Sequence, residues 1–529
     1  MGKFLKIVNF RYIFWFFLYF FIFCLLLRNS FGYLDPDFGW HLKVGQDIAR
    51  TALVPQNNNF NYSFTGDWVD HEWLSNFLTF LVYEKSGYIV LSIAFALLVI
   101  FTLIILNFFV GSLRAPNTFF LISVFQTFGI VASLPHLGVR IQEIALLFLL
   151  LLLIILQSYT QKRRLYILLF LPWFIYLWAC LHASFLIALF LLGAWLFIKN
   201  IEALIWRYWP KVWLDSAGVL SAKELLSATG IFFLSFVVTW FTPYKLGLYS
   251  FLKGYGNTAY QSYIQEWLSQ FFFPFYYGQL FYLALVALAL LLYLYYALAR
   301  RKYFKINLWN LFVVILFIVL SFKSRRHFPL MFIASFPFVV EVYGVLLGSF
   351  VRTRLNYWLK LFLFACLLLA ATTQLLQTKI TNDPFLSFCN DYPCSAVKFL
   401  QARPDYYSQR LFNSYAWGGY FIWVDSRRSL FIDGRLPQVE LAGQTYLEEY
   451  LDFFRQEIDI RAKLKNYQIA LVLIPTKDKE IKAENWEKII FGIKEEDLRS
   501  RNYLREYLES SPDWSTLFKD DVSTIYVKK

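Results

Sequence analysis

Along the first 377 residues, apolar runs alternate with short polar or basic segments, and the runs are long enough to cross a hydrocarbon core of about 30 Å. They predict eleven helices, near 11–28, 86–110, 117–133, 143–159, 165–181, 184–199, 226–242, 277–299, 307–322, 328–349 and 359–377. Three intervening segments are longer or stranger than connectors need to be: 29–76, 243–276, and "FKSRRHFP" at 322–329. Beyond about residue 378 the chain becomes more charged, and "YFIWVD", "SLFID" and "IALVLIP" alternate in a way that predicts strands. Stretches 395–403, 443–464 and 495–509 read as helices. The expected fold is mainly α: a polytopic membrane helical bundle over 1–377 followed by a C-terminal α/β domain over 378–529.

Composition supports a membrane protein. The 529 residues are 58% hydrophobic and only 16% charged, against about 25% charged in soluble domains. The net charge of +14 does not point to nucleic acid, because the basic residues sit mostly in short loops between apolar runs. Lys3, Lys6, Arg11, Arg114, Lys162, Arg163, Arg164, Lys199, Arg207, Lys211, Lys223, Arg300, Arg301, Lys302, Lys305, Arg352 and Arg354 fall on one side if the N-terminus is cytoplasmic. That bias orients the bundle, puts the C-terminal domain outside, and implies a multi-pass plasma-membrane protein. The first apolar run lacks a small-residue cleavage site and reads as a retained helix. Cys24, Cys180 and Cys366 read as packing residues in apolar runs, whereas Cys389 and Cys394 form either a small disulfide loop or two free thiols.

The first outside loop carries more chemistry than an interfacial collar requires. Asp35, Pro36 and Asp37 predict a turn. An amphipathic helix follows from about Phe38, with Trp40, Val44 and Ile48 on one face and His41, Gln46 and Asp47 elsewhere. "DHEWLSNFL" restarts a helix with Asp70 as N-cap and brings His71 and Glu72 to the same loop. Carboxylates at a low-dielectric boundary act as bases with raised pKa or hold a divalent cation. Cations gather elsewhere on the outside: Arg140 in "PHLGVRIQE", beside His136 and Glu143, and Arg325, Arg326 and His327, which break the charge rule locally. The alternative for Arg140 is a pair with Glu143 one turn along. His182 either lines a cleft or caps a helix; Glu266 and Trp267 either touch a sugar or anchor the interface.

"DPDFGWHLKVGQDI", "DHEWLS", "GVRIQE", "WACLHASFL", "WFTPYKLGLY", "YIQEWLS" and "FNSYAWGGYFIW...LFIDGR" occur in this order. With the multi-span layout, they give a chain that resembles the GT-C superfamily of integral-membrane glycosyltransferases over roughly residues 1–350, and more narrowly a bacterial GT-C-like group. The resemblance implies transfer of a sugar from a polyprenyl-phosphate-linked donor to a glycan, lipid or protein acceptor, with inversion. It implies Asp37 or Asp35 as base, Arg140, Arg325, Arg326 and His327 at the donor phosphate, and in some members a divalent cation such as Mg or Mn, with Asp35 and Asp37 the residues to hold one. Pro36 separates the two aspartates, and "DHEWLS" stands where several members carry a Lys-Pro-Pro type motif, so the acceptor, the metal and the choice of base stay open. Two other functions fit many spans and cations: a transporter or flippase of lipid-linked saccharides, and a non-catalytic envelope assembly protein. No repeat symmetry of the kind common in transporters is visible.

Overall fold

The computed structural model describes residues 10–111, 119–209, 218–256, 262–300, 306–347, 357–441, 443–478, 480–498 and 501–529. The expected cations Lys3, Lys6, Arg114, Lys211, Arg301, Lys302, Lys305, Arg352 and Arg354 lie outside them. The chain forms two compact units, and these do not follow chain order. One comprises 1–33, 91–245 and 265–380; the other comprises 34–90, 246–264 and 381–529. Residues 34–90 therefore belong with the C-terminal region rather than with the helix that precedes them in sequence.

The first unit is helical. Among the described residues, seven helices are long and apolar enough to cross a membrane, and they make this a multi-pass membrane protein: Tyr12–Gly32, Trp73–Gly111, Ile141–Lys162, Phe185–Tyr208, Ala222–Phe241, Tyr277–Leu298 and Arg325–Leu347. Leu121–His136, Tyr166–Leu181, Leu308–Lys323 and Phe362–Gln377 are apolar but shorter. Their ends follow ordinary capping chemistry. Ser221 and Glu224 close a reciprocal capping box, and the Asn307 side chain accepts from the Asn310 N–H. Phe328–Leu347 is the helix most enclosed by its neighbours; it packs against Leu308–Lys323, Phe119–Ser133, Ile144–Lys162 and Tyr277–Tyr295. It is apolar on nearly every side, with Glu341 its one charged residue, as suits a central helix.

The second unit is built on a four-stranded sheet. Its strands are β1 (Arg410–Asn413), β4 (Ile469–Pro475), β5 (Trp514–Lys519) and β6 (Ser523–Lys528), in the order β1-β4-β6-β5. A separate ribbon pairs β2 (Glu440–Leu441) with β3 (Gln444–Thr445). β4 runs parallel to β1 and antiparallel to β6, and β5 and β6 form a hairpin. The run "IALVLIP" is apolar at nearly every position because β4 is the central strand and is buried on both faces. The sheet has an irregular margin beyond β1. Leu430 bridges Leu411 and Asn61, and Leu430 and Tyr62 exchange backbone bonds with the first loop (Leu430 N to Phe60 O, 2.9 Å; Tyr62 N to Leu430 O, 3.1 Å).

Two expected strands are corrected. "YFIWVD" lies in a helix, Gly418–Val424, and "SLFID" contributes only the Leu430 bridges. The expected helices appear as Cys394–Gln401, Tyr446–Leu451, Ile460–Asn466 and Tyr503–Ser510, and Cys389 and Cys394 are joined by a disulfide. The helix Trp73–Gly111 is two helices meeting at Gly87, whose φ of +75° favours glycine and whose missing Cβ leaves room for the Asn382 carboxamide.

Candidate active site

In the first unit, three distant stretches of sequence converge. His136 ends a short turn at Leu134–His136, and Arg140 follows in extended backbone. The intervening loop is held by Asn29, which donates to the Leu134 and Leu137 carbonyls (3.0 and 2.6 Å), and by Gly138 N–H, which donates to Glu143 Oε1 (2.6 Å). Arg140 ion-pairs with Glu266, Nη1 to Oε1 at 2.6 Å, and also faces the Tyr33 ring at 5.5 Å. Glu266 belongs to a segment zipped to the 322–326 turn. Arg326 N–H donates to Glu266 O and Arg325 N–H to Leu268 O, both at 3.0 Å, while Ser269 Oγ donates to Phe322 O at 2.7 Å.

That pairing puts Arg326 over the Trp267 ring at 4.8 Å and Arg325 over Tyr276 at 4.8 Å. Arg325 is fully buried and also donates to the Phe272 carbonyl. His327 meets Trp267 edge to face, and His136 lies against Tyr276 with ring centres 6.1 Å apart. Two guanidinium groups, Arg140 and Arg326, thus act on the Glu266 carboxylate, and Arg325 lies nearby against Tyr276. Burial pushes the Glu266 carboxyl up, but Arg140 and Arg326 pull it further the other way and hold it below the usual carboxylate range. Such a cluster of planar donors suits a phosphate.

In the second unit, Asp35 and Asp37 form the expected turn: Asp37 N–H donates to Asp35 Oδ1 at 2.8 Å. Asp37 begins the helix Phe38–Thr51 without capping it through its side chain, and its Oδ1 instead accepts from the Trp40 indole N–H at 2.9 Å. The carboxylate rests on Gly434, where a Cβ would stand 2.0 Å from Asp37 Oδ1. The neighbouring contact is as close: a Cβ on Gly39 would lie 2.1 Å from Gly419 O, and one on Gly419 would lie 2.1 Å from Pro36 O. The motifs "DPDFGW" and "WGGYFIW...DGR", nearly four hundred positions apart, interlock backbone to backbone. Beneath them Asp433 holds Arg435 at 2.8 and 2.9 Å; both are buried, and Arg435 also donates to Asn58 and Asn61 and lies between Phe60 and Trp68.

His41, His71 and Glu72 form a neighbouring chain, in which His41 and Glu72 are buried and His71 is half-buried. His41 Nδ1 bonds Asn76 Oδ1 at 2.6 Å, and Asn76 Nδ2 donates to both oxygens of Asp70 at 3.0 and 2.8 Å. His71 Nε2 lies 3.4 Å from Glu72 Oε1. Burial pushes Asp70 up to about 6, and burial also pushes His41 below its usual range against the pull of Glu72 and Asp35. His182 is held in its own turn, where Nδ1 bonds Ser184 Oγ at 2.7 Å.

The arginine cluster thus gathers the predicted residues Arg140, Glu266, Trp267, Arg325, Arg326 and His327, and adds His136 and Tyr276. Tyr276 carries no signal beyond one aromatic among many. Asp35 and Asp37 lie in the other unit. Arg140 pairs with Glu266 rather than relying on Glu143, whose Oε1 serves Gly138. Among the described residues no group of three or more His, Cys, Asp or Glu is arranged to hold a metal. Asp35 Oδ1 and Asp37 Oδ1 already serve a backbone N–H and an indole.

The fold is similar to that of solved membrane oligosaccharyltransferases. Among solved structures, the Archaeoglobus fulgidus oligosaccharyltransferase tethered by a disulfide to an acceptor peptide containing the NVT sequon covers 97% of this chain and 74% of its own, with a TM-score of 0.50 at 12% identity. The archaeal oligosaccharyltransferase AglB from the same organism, in complex with an inhibitory peptide and a dolichol-phosphate, covers 87% and 69% with a TM-score of 0.46 at 12% identity. At that identity the likeness shows the fold alone. No family model and no curated protein matches the sequence.

Proposed function

We propose that this chain is a membrane glycosyltransferase. It moves a sugar from a polyprenyl-phosphate-linked donor to an acceptor on the extracytoplasmic side of the plasma membrane. The observation that carries the reading is the gathering of Arg140, Arg325 and Arg326 around Tyr276, Trp267 and Glu266. Two buried guanidinium groups and a half-buried third need an anion, and one carboxylate supplies only part of it.

In the proposed reaction Asp37, held by Trp40 and Gly434, takes the acceptor's proton as the acceptor attacks the anomeric carbon with inversion, and Asp35 orients it. The bond between the anomeric carbon and the phosphate oxygen breaks, and its electron pair stays on the phosphate, where the arginines stabilise the charge. His41, His71, Glu72, His182 and Trp267 serve substrate contacts. The acceptor is a peptide, a glycan or a lipid; the peptide tethered in the Archaeoglobus structure favours testing peptides first. The four shorter apolar helices complete eleven crossings, with a cytoplasmic N-terminus and an external C-terminal region.

The test supplies labelled polyprenyl-phosphate sugars and candidate acceptors to the purified chain. Wild type should transfer, Arg325→Met should lose transfer, and Asp37→Asn should fall further than Asp35→Asn. Equal transfer by all four proteins would remove these residues from the mechanism.

A further inference from the structure

His136 sits inside the arginine cluster with 2% exposure, and neither ring nitrogen has a hydrogen-bond partner among the described residues. A buried polar group left unbonded costs about 1–3 kcal/mol, so a native site that keeps one calls for an explanation. Arg325, fully buried, has no acceptor for Nε or Nη1 among the described residues, although Tyr276 lies against its face. Both side chains touch the same Tyr276 ring. Two buried groups with donors in hand, meeting at one aromatic wall, are a socket for an anion.

The charges around His136 decide how it binds. Glu266, Arg140, Arg326 and Arg325 all act on it, Tyr276 lies against it, and Glu143 in the same loop is committed to Gly138. A proton added to the ring in the empty site faces three guanidinium groups against one carboxylate. A doubly charged anion reverses that balance, after which a protonated ring donates to the anion as the arginines do. We infer that His136 is a fourth anion-contacting residue of this site, and that binding a phosphate or sulfate dianion brings a proton onto its ring. The inference rests on the proposed phosphate site and specifies its chemistry: the site takes an anion together with a proton. In the transfer reaction, that proton sits where the leaving phosphate acquires its second charge.

Calorimetry on the full-length chain in detergent tests this, with inorganic sulfate as probe because sulfate stays a dianion through the neutral range. Titrations at pH 6, 7 and 8 in two buffers of different ionisation heat count the protons taken up. Wild type should take up close to one proton per sulfate at pH 6, and affinity should rise up to about tenfold for each unit the pH falls. His136→Gln, which keeps a donor but cannot be protonated in this range, should bind at pH 8 with no uptake and a flat pH profile; His136→Asn should repeat it. Uptake that persists in both variants overturns the inference. So does wild-type binding without uptake, and if that binding still needs Arg325 the phosphate-site reading survives. Binding untouched by Arg325→Met, or no binding by wild type, sinks the reading itself. A parallel titration with geranyl phosphate separates sources: clearly tighter binding than sulfate marks a lipid-borne phosphate, and equal affinity overturns that source.

Discussion

Replacing Gly434 by alanine places a methyl group where the Asp37 carboxylate now lies. The new Cβ would stand 2.0 Å from Asp37 Oδ1, and real Cβ atoms essentially never come within 3.0 Å of such an atom. The carboxylate must therefore retreat by about 1 Å, and that shift strains the 2.9 Å bond it accepts from Trp40. The stability cost is modest, about 1 kcal/mol for one lost hydrogen bond. The catalytic cost is larger: a misplacement of about 1 Å lowers a rate by roughly 100-fold, and complete loss of a base by roughly 100- to 10,000-fold. Sugar transfer measured with labelled donor should show kcat down by about 100-fold with KM nearly unchanged. Gly247→Ala is the matched control, since nothing lies within 4 Å of its added Cβ. A Gly434→Ala protein that is folded and transfers at the wild-type rate would refute both the role of Asp37 and the claim that the tail positions it.

Asp433→Asn leaves Arg435 buried without its anion and should cost about 3–5 kcal/mol. That is a fall in melting temperature of roughly 6–20 °C, whereas the double change Asp433→Leu with Arg435→Met should restore part of it. Asp70 is raised from 3.8 to about 6, so its stabilising contribution is full below pH 4 and is lost as the pH rises through about 6. Wild type should accordingly lose about 2 kcal/mol relative to Asp70→Asn between pH 4 and 7 in parallel denaturation curves. His41, pushed the other way by burial, is common to both proteins and cancels in the difference. Arg140→Met removes a charge-assisted partner worth about 1.5–3 kcal/mol, and sulfate affinity by calorimetry should fall by roughly 10- to 150-fold.

The sequence made the apolar helices legible because a span announces itself in one continuous window. Arg325 and Arg326 are legible for a different reason: they break the charge pattern of the orientation expected from the sequence. The helix at Gly418–Val424 was misread because its aromatic residues alternate as a strand's would; what decides its form is the close seat of Gly419 on Pro36, which no local window contains. The same limit hid Gly434 from Asp37 and Asn58 from Arg435. His136 was visible only as a neighbour of Arg140, because a histidine gains its meaning here from three cations supplied by other loops. The sequence reads Asp70 as an N-cap, but the helix begins at Trp73 and Asp70 lies two residues before the N-cap position, where its side chain accepts from the Glu72 N–H and the Asn76 carboxamide.

The interlock of residues 34–90 with 381–529 also has a consequence in time. A ribosome adds roughly 5–20 residues per second, so the segment from residue 34 waits roughly 20–80 s before the segment that supplies Leu430, Asp433 and Gly434 exists. During that interval Phe60, Trp68 and the face of the Phe38–Thr51 helix lack their cover. Chains halted before the tail emerges should therefore be cut by protease within that loop and by chaperones held there, while completed chains resist. Quality control of this protein is in effect written into its chain order: a segment made early matures last.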